Sequence, residues 1–350
     1  MMSNISISQP FKPRLGELDF LKGIAILGVI IVHVVQHGLH YSYGNSTIEI
    51  ILDALSRFCV PFFVFVSGTA FSFNYQDKEN YFWSFILKRL RYIGIPYLLW
   101  SAVGFIRYRI YEIKSIIIGL ITGTAIFHLY FIILIFQFYV LAPLMLRLCK
   151  ISGWKVLVMS FLANMVLLIF YTNPILLAYF KLNYLYSASI NPLFWLSYFF
   201  AGLIIGMNVN SFREYVSKTR LVYLIIVWLI TAIVSVYHEY TSFAKTGSFL
   251  TFLRPTNMIY TFTSILLYWA LFDKINSRVK SLLTTLGKYS FGIYLVHIPV
   301  LYSIHTLTKS YWGNPLMQVF SFIVCIIVSF AFTFIVSKIK FGVYVVGKAG

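Results

Sequence analysis

Charged residues are scarce in this chain. Only 11% of its 350 residues carry a charge, and Asp and Glu together number 10. A typical soluble domain has about 25% charged residues, which keep its surface in water. Hydrophobic residues make up 60% here, and the mean hydropathy is +0.83. This composition excludes an ordinary soluble domain, and apolar runs of about 20 residues are long enough to cross a bilayer as helices.

Cysteine is also rare. The chain has three, Cys59, Cys149 and Cys325, and each lies in an apolar stretch without a paired or metal-type spacing. An odd number at such positions indicates neither a disulfide framework nor a cysteine zinc site. A glycine-rich phosphate loop and a zinc signature are missing from the sequence as well. We therefore expect no metal, and we expect the three thiols to be packing residues.

Basic residues outnumber acidic ones and give a formal net charge of +18. They are scattered between apolar segments and form no basic patch interleaved with aromatic residues, so no nucleic-acid partner is predicted. Most of them lie on one side of the membrane if the N-terminus is cytoplasmic, which predicts that both termini are cytoplasmic. The polar N-terminal segment is followed by an apolar stretch without a small-residue cleavage site, so we expect no removable signal peptide.

The apolar segments predict an all-α membrane protein with about ten transmembrane helices in one bundle, located in the cell membrane as a multi-pass protein. The intervening loops are short, so residues 1–350 are predicted to form a single transmembrane domain. The predicted spans are roughly 18–38, 49–73, 90–107, 126–148, 154–171, 192–209, 220–238, 257–273, 289–304 and 316–337.

The first span contains a histidine in its far half. Lys22 and His33 are separated by ten residues, which places them roughly 16 Å apart along one helix. An imidazole in hydrocarbon generally faces a protein interior or a water-filled cavity. A neutral imidazole can take a proton from a hydroxyl at working pH, so we predict that His33 is a general base. The alternative is a buried histidine that bridges two helices.

All of the histidines fall in outer halves of spans or in outer loops under this topology. This placement is typical of proton-transfer chemistry in a cavity open to the outside, although selection for Lys and Arg on the inner side would also produce it. His37 and His40 follow His33 on the same helix, but no carboxylate or thiol joins them, so a metal site is not predicted. The histidines are His33, His37, His40, His128, His238, His297 and His305.

The second span carries Asp53 and Arg57 at a spacing of four. They can pair along one helix and so reduce the cost of burial, which predicts structural support; substrate contact is the alternative. The same span ends in Ser67-Gly68. No nearby base would activate Ser67 as a nucleophile, and the pair is typical of a close approach of helices or of a ligand.

Polar residues mark three further positions. Lys88-Arg89-Leu-Arg91 lies at the cytoplasmic entry of the third span and is typical either of the positive-inside bias and anionic lipid or of contacts to the phosphates of a nucleotide-bearing donor. The fourth span opens with His128-Leu-Tyr130, and the ninth carries Ser290, Tyr294 and His297 at spacings of four and three. Such a stripe occupies one helical face, which we expect to point into the bundle.

The order and spacing of these stretches resemble the acyltransferase-3 family of integral membrane O-acyltransferases, nearly end to end. The matching stretches are Leu-Asp19-Phe-Leu-Lys22-Gly with His33 further on, Phe-Phe-Val-Phe-Val-Ser67-Gly68, Lys88-Arg89-Leu-Arg91 before Pro96, His128-Leu-Tyr130-Phe131 before Tyr139 and Pro143, and Tyr294-Leu-Val-His297.

This resemblance implies about ten helices, an acyl-CoA co-substrate such as acetyl-CoA presented from the cytoplasm, and acylation of a sugar hydroxyl on a cell-envelope or secreted glycan. It implies that His33 is the essential histidine and that Lys22 is its basic partner, a position where the family usually has Arg. The family often has Trp where this chain has Tyr130, and its basic pair is commonly spaced differently from Arg89 and Arg91.

Together these observations predict a membrane O-acyltransferase. Lys22, Arg89 and Arg91, with Ser67, are predicted to bind the acyl-CoA donor, and His33 is predicted to deprotonate the acceptor hydroxyl. The candidates for substrate or oxyanion contacts are His128, Tyr130, Tyr294 and His297. Two alternatives stay open: a transporter that does not catalyse acyl transfer, and a subunit of an exopolysaccharide synthesis and export machine that acts only with partner proteins.

Overall fold

The computed structural model describes residues 14–41, 47–173, 188–247, 252–308, 311 and 314–349. This part of the chain contains fifteen α-helices and no strand. The first eight are α1 Gly16–Tyr41, α2 Thr47–Ser56, α3 Cys59–Tyr75, α4 Phe82–Arg89, α5 Ile95–Arg107, α6 Ile113–Thr122, α7 Tyr130–Ser152 and α8 Trp154–Thr172. The others are α9 Leu196–Met207, α10 Val209–Lys218, α11 Leu221–Thr246, α12 Pro255–Leu271, α13 Ser277–Thr308, α14 Pro315–Ser337 and α15 Val343–Val346.

Helix occupies most of each of the ten predicted spans, which confirms an all-α membrane bundle. Among the described residues, seven helical segments are long and apolar enough to cross a membrane, or eight if a bent pair counts as one span. That bent pair joins 192–207 to 209–218 at an angle of 96°. The span predicted at 257–273 forms a helix of 17 residues, and the one at 90–107 follows a π-helical turn at Leu90–Gly94. The count of ten and the orientation of the termini stay predictions.

Helix α14 has the reverse of the polarity expected in a soluble protein. Its buried side chains are small or polar, whereas many of its large apolar side chains are exposed. Hydrocarbon is as apolar as Leu, so lipid accommodates the apolar face while the bundle interior satisfies the polar groups. The buried residues recur at spacings of three or four, which place them on one face: Gln318, Ser321, Cys325, Ser329 and Thr333.

Helices α1 and α13, which carry His33 and His297, pack closely against each other. A side chain on Gly23 would collide with the backbone carbonyl of Leu283, and one on Gly287 would collide with that of Asp19. Further along, His33 of α1 meets His297 of α13, so the two helices run parallel. Small residues at both contacts allow the two backbones to approach closely. We call the two ends of this pair the Lys22 end and the His37 end.

Candidate active site

Three histidines from separate elements meet inside the bundle. His33 lies on α1, His297 on α13, and His128 in the 3-10 turn Phe127–Leu129 that precedes α7. The ring centroids of His33 and His297 are 5.3 Å apart, and those of His128 and His297 are 5.1 Å apart. His297 is fully buried and His128 is 3% exposed. The structure therefore brings together the three histidines that the sequence singled out.

A cavity of about 280 Å³ adjoins this cluster. His33 and His128 line it together with the predicted contact residues Tyr130 and Tyr294, whereas His297 contacts both histidines without being among the lining residues. Among the described residues that line this cavity, Arg57 is the one with a charged side chain. An alcohol and an acyl group that met here would therefore be surrounded by imidazole, phenol and guanidinium groups within mostly apolar walls.

The tautomer of His297 follows from its hydrogen bond. Nδ1 lies 2.6 Å from the backbone carbonyl oxygen of Tyr294. A carbonyl oxygen only accepts, so Nδ1 carries the proton and the neutral ring presents a lone pair at Nε2. Nε2 is buried without a hydrogen-bond partner among the described residues. Neutral His297 can therefore accept a proton at this position but cannot donate one to an oxyanion.

Tyr294 is also engaged. Its hydroxyl donates to the backbone carbonyl of His128, which ties α13 to the turn before α7. Both ring nitrogens of His128 are buried and have no hydrogen-bond partner within the described part of the chain. His128 therefore has both ring nitrogens available for a ligand, whereas the Tyr294 hydroxyl is used within the protein.

Arg57 forms a bidentate pair with Asp53. Its Nε lies 2.6 Å from Oδ2 and its Nη2 lies 2.9 Å from Oδ1, and both side chains are buried. The amide of Gln36 on α1 donates to the same carboxylate at 3.2 Å. The predicted pair of Asp53 with Arg57 is therefore present, although α2 ends at Ser56 and the two residues do not share one helix. Arg57 lies at the break between α2 and α3, and its side chain lines the histidine cavity.

Sequence reasoning missed a second buried ion pair. Arg254, just before α12, pairs with Glu239 of α11, and both side chains are almost fully buried. Under the predicted topology, Arg254 falls in the outer loop between the spans at 220–238 and 257–273. A signal was present, because each of these two charged residues borders a long apolar segment.

A second cavity, of about 340 Å³, lies at the Lys22 end. Lys22 and Arg89, two of the predicted donor-binding residues, line it together with Arg14 and Asp19. Lys22 Nζ and Arg14 Nη2 each lie 2.6 Å from Asp19 Oδ1. The Arg89 guanidinium lies 5.0 Å from the ring centroid of Tyr139. Three cations against one carboxylate leave this cavity positively charged, as a phosphate-binding site would require.

Arg91 and Ser67 lie apart from that cavity. Arg91 is exposed, and its guanidinium donates to the Tyr344 hydroxyl from Nε at 3.0 Å and from Nη2 at 2.6 Å. Ser67 shares α3 with Val66 and Ala70, which do line the cavity, but its own side chain is not among the lining residues described. The structure thus brings Lys22 and Arg89 together and leaves Arg91 and Ser67 outside.

Two further cavities continue from His33 toward the His37 end. The first, of about 280 Å³, shares His33 and Gln36 with the histidine cavity and reaches Tyr302. The second, of about 470 Å³, begins at Tyr302 and includes Arg107 and Tyr108. The Arg107 guanidinium lies 5.2 Å from the ring centroid of Tyr302. Neighbouring cavities thus share lining residues all the way from His33 to the end of α5.

His37 lies beside this passage, with its ring centroid 4.5 Å from that of His305. The side chain of His40 lies outside the described residues. Within the described ranges, no group of three or more His, Cys, Asp or Glu has the arrangement of a metal site. The three thiols are free and buried, as packing residues would be.

Similarity to known proteins identifies the family of this chain. The sequence model of the acyltransferase-3 family, described as an acyltransferase domain, matches residues 15–334 of this chain. A Staphylococcus epidermidis protein named "Probable poly-beta-1,6-N-acetyl-D-glucosamine export protein" is 26% identical over 328 residues, which cover 86% of this chain and 85% of that protein. A Bacillus subtilis protein named "Putative membrane-bound acyltransferase YfiQ" is 25% identical over 368 aligned positions, which cover 96% of this chain and 95% of that protein. No solved structure gives a significant match. Because the domain model covers most of the chain, this multi-pass membrane protein belongs to the acyltransferase-3 family.

Proposed function

We propose that this protein is a membrane O-acyltransferase that moves an acyl group, in the first instance acetyl, from acyl-CoA to a hydroxyl of a cell-envelope or secreted glycan. The observation that carries the proposal is the convergence of His33, His128 and His297 at a cavity between two differently lined ends of the bundle. A positive cavity lies at the Lys22 end, and a passage toward Tyr302 leads to the other end.

The donor binds at the Lys22 end. Lys22 and Arg89 contact the phosphates of CoA from the cytoplasmic face, and Arg14 adds a third cation to the same cavity. His33 lies roughly 16 Å further along α1. The pantetheine arm is long enough to cover that distance, so the thioester reaches the histidine cavity.

His33 is the general base of the reaction. Its neutral imidazole accepts the proton of the acceptor hydroxyl while the hydroxyl oxygen attacks the thioester carbonyl carbon. The carbonyl oxygen becomes an oxyanion, and when the carbonyl re-forms the carbon–sulfur bond breaks. The departing thiolate takes the proton from the His33 imidazolium. The products are the O-acyl ester and free CoA, and no metal is required.

The acceptor enters from the His37 end. The passage lined by Tyr302 leads from the end of α5 to His33, and its lining combines aromatic rings with hydroxyl and guanidinium groups. Rings and hydroxyls of this kind suit a sugar, which offers both apolar faces and hydroxyls. The polysaccharide in the name of the Staphylococcus epidermidis relative also favours a glycan acceptor.

The test is a turnover assay with the purified full-length protein in nanodiscs and acetyl-CoA labelled in its acetyl group. We expect the wild type to remove label from CoA and the His33→Ala variant to lose this activity while keeping its melting temperature. His238→Ala is the matched control, because His238 hydrogen-bonds Thr256 at 2.9 Å and lines none of the four cavities. Equal turnover by wild type and His33→Ala would remove His33 from this role.

The second candidate function is export of a glycan, alone or within a synthesis and export machine. The name of the Staphylococcus epidermidis relative is the observation that favours it. An exporter would bind polysaccharide and move it into sealed vesicles without consuming acyl-CoA. If the wild type binds acetyl-CoA but does not turn it over, even with the partner proteins present, and glycan transport persists in His33→Ala, export replaces acyl transfer as the proposed function.

A further inference from the structure

The proposed reaction needs a group that stabilises the oxyanion, and two of the predicted candidates are already engaged. The Tyr294 hydroxyl donates to the His128 carbonyl, and His297 Nδ1–H donates to the Tyr294 carbonyl. The remaining nitrogen of neutral His297 offers a lone pair, which would repel an oxyanion. His128 and Tyr130 line the cavity as neutral donors, but a charged donor in the same lining would form the stronger hydrogen bond to an oxyanion.

Arg57 has unused donors at the right place. A guanidinium has five N–H groups, and in the described structure two of the Arg57 groups donate to Asp53. The other three remain for a ligand, and the side chain lines the same cavity as His33 and His128. Arg57 is 3% exposed, so little water screens its charge.

The guanidinium is also held in place before any substrate binds. Asp53 fixes it by the bidentate pair, and Gln36 in turn holds Asp53 from α1. The guanidinium carbon also lies over the ring of Phe252, 4.8 Å from the ring centroid. A donor fixed by its surroundings costs no reorganisation when charge develops on the reacting atom, and this is the requirement for oxyanion stabilisation.

We propose that Arg57 is a catalytic residue whose guanidinium hydrogen-bonds the oxyanion of the acyl-transfer intermediate. The inference rests on the proposed function. When the acceptor oxygen bonds to the carbonyl carbon, the carbonyl electron pair moves to oxygen, and a free Arg57 N–H donates to that oxygen. When the carbonyl re-forms and the carbon–sulfur bond breaks, this hydrogen bond weakens. Asp53 and Gln36 are positioning residues that act through Arg57.

The competing view is that Arg57 and Asp53 only support the fold. The chain contains a matched control for this view, because Arg254 and Glu239 form a second buried arginine–carboxylate pair. Neither of these two residues lines the histidine cavity. Replacing a pair by neutral groups of similar shape avoids leaving one buried charge without its partner, which would be strongly destabilising.

The experiment compares Asp53→Asn/Arg57→Gln with Glu239→Gln/Arg254→Gln in nanodiscs. Transfer kcat, acetyl-CoA Kd and melting temperature are measured for both double variants and for the single variant Arg57→Lys. We expect the Arg57 double variant to lose about 10²–10³-fold in kcat, as removal of an oxyanion donor does elsewhere. Its donor Kd and melting temperature should stay close to those of the Arg254 double variant, which should keep wild-type kcat. Arg57→Lys should retain at least ten times the kcat of the Arg57 double variant and still fall below the wild-type kcat, because Lys keeps the charge but loses the planar fork of donors.

Equal kcat in the two double variants would overturn the inference, as would a loss of kcat that only follows the loss of folded protein. If the Arg57 double variant does not fold, Arg57→Lys decides: a wild-type Kd with reduced kcat supports the oxyanion role, and unchanged kcat rejects it. Failure of the proposed function gives a different result, because the wild type itself would then show no His33-dependent turnover. In that case the wild type has no transfer kcat with which the variants could be compared.

Discussion

At the residue scale, the contacts of individual side chains separate the cations predicted to bind the donor into those that line a cavity and one that does not. Lys22 and Arg89 share one cavity, whereas Arg91 is bonded to Tyr344 on the exposed surface. All three are cations near the same end of the bundle, and the sequence alone does not rank them. Their different surroundings make separate predictions for donor binding.

We expect Lys22→Ala and Arg89→Ala each to raise the Kd for acetyl-CoA about tenfold or more, because a hydrogen bond to a charged group contributes about 1.5–3 kcal/mol. Arg91→Ala should change this Kd less than threefold, since its guanidinium lies outside the cavity. The measurement is equilibrium binding of labelled acetyl-CoA to nanodiscs. A large effect of Arg91→Ala with none of Lys22→Ala would place the donor elsewhere.

Tyr294 provides a second prediction at this scale. Its hydroxyl donates to the His128 carbonyl, so Tyr294→Phe removes one buried hydrogen bond and leaves the ring in place. We expect a loss of about 1 kcal/mol in stability and a fall of less than tenfold in kcat. Thermal unfolding and the transfer assay test this together. A fall in kcat of about 10²-fold or more would instead indicate direct contact with the oxyanion.

At the scale of elements, the close contact of α1 and α13 sets the geometry of the site. Gly23 and Gly287 allow the two backbones to touch, and the same pair of helices then carries His33 and His297 to facing positions. A wider spacing would separate the histidines. The glycines therefore contribute to the geometry of the site, although each lies ten residues, or almost three helical turns, from the histidine on its own helix.

Gly287→Ala should destabilise the protein by about 1–3 kcal/mol or more, because its new methyl group would collide with the backbone at Asp19 and cannot be accommodated by a rotamer change. Transfer activity should fall with it. Gly94→Ala is the matched control, since a side chain there would meet only ordinary contacts, the nearest at 3.6 Å. Melting temperatures of both variants in the same detergent give the comparison, and equal values would contradict the proposed role of this helix contact.

At the scale of the whole molecule, the remaining question is which end faces the cytoplasm. The distribution of Lys and Arg predicts that both termini are cytoplasmic, and the proposed mechanism requires that the Lys22 end meets cytoplasmic acyl-CoA. The parallel packing of α1 and α13 agrees with the predicted topology, in which the first and ninth spans run in the same direction. The orientation itself calls for a chemical test.

We expect a cysteine introduced at Asp77, in the loop after α3, to be protected from a membrane-impermeant maleimide in intact cells, and one introduced at Glu112, before α6, to react. Both positions are exposed in the fold, and the three native cysteines are buried and give a low background. Lysed cells are the control, in which both positions should react. The opposite pattern in intact cells would invert the topology and reject the cytoplasmic donor site.

The sequence by itself determined the class of the protein and the chemical types at its site. Scarce charge and apolar runs require a helical membrane bundle, because a chain in hydrocarbon must satisfy its backbone hydrogen bonds internally. Histidines within spans are costly in lipid, and for that reason His33, His128 and His297 could be predicted to face the interior. The pairing of Asp53 with Arg57 also followed from local spacing, because residues four apart are neighbours on a helix.

Only the tertiary structure decided how these groups are used. Contacts between distant segments engage the Tyr294 hydroxyl at His128, bury Arg254 against Glu239 and turn Arg57 toward the histidine cavity. They also separate Arg91 from Lys22 and Arg89. Local spacing fixes which residues share a helix face, but it does not specify which helix that face meets. The hydrogen bonds available to a substrate depend on that second choice, and they are therefore a property of the packed bundle.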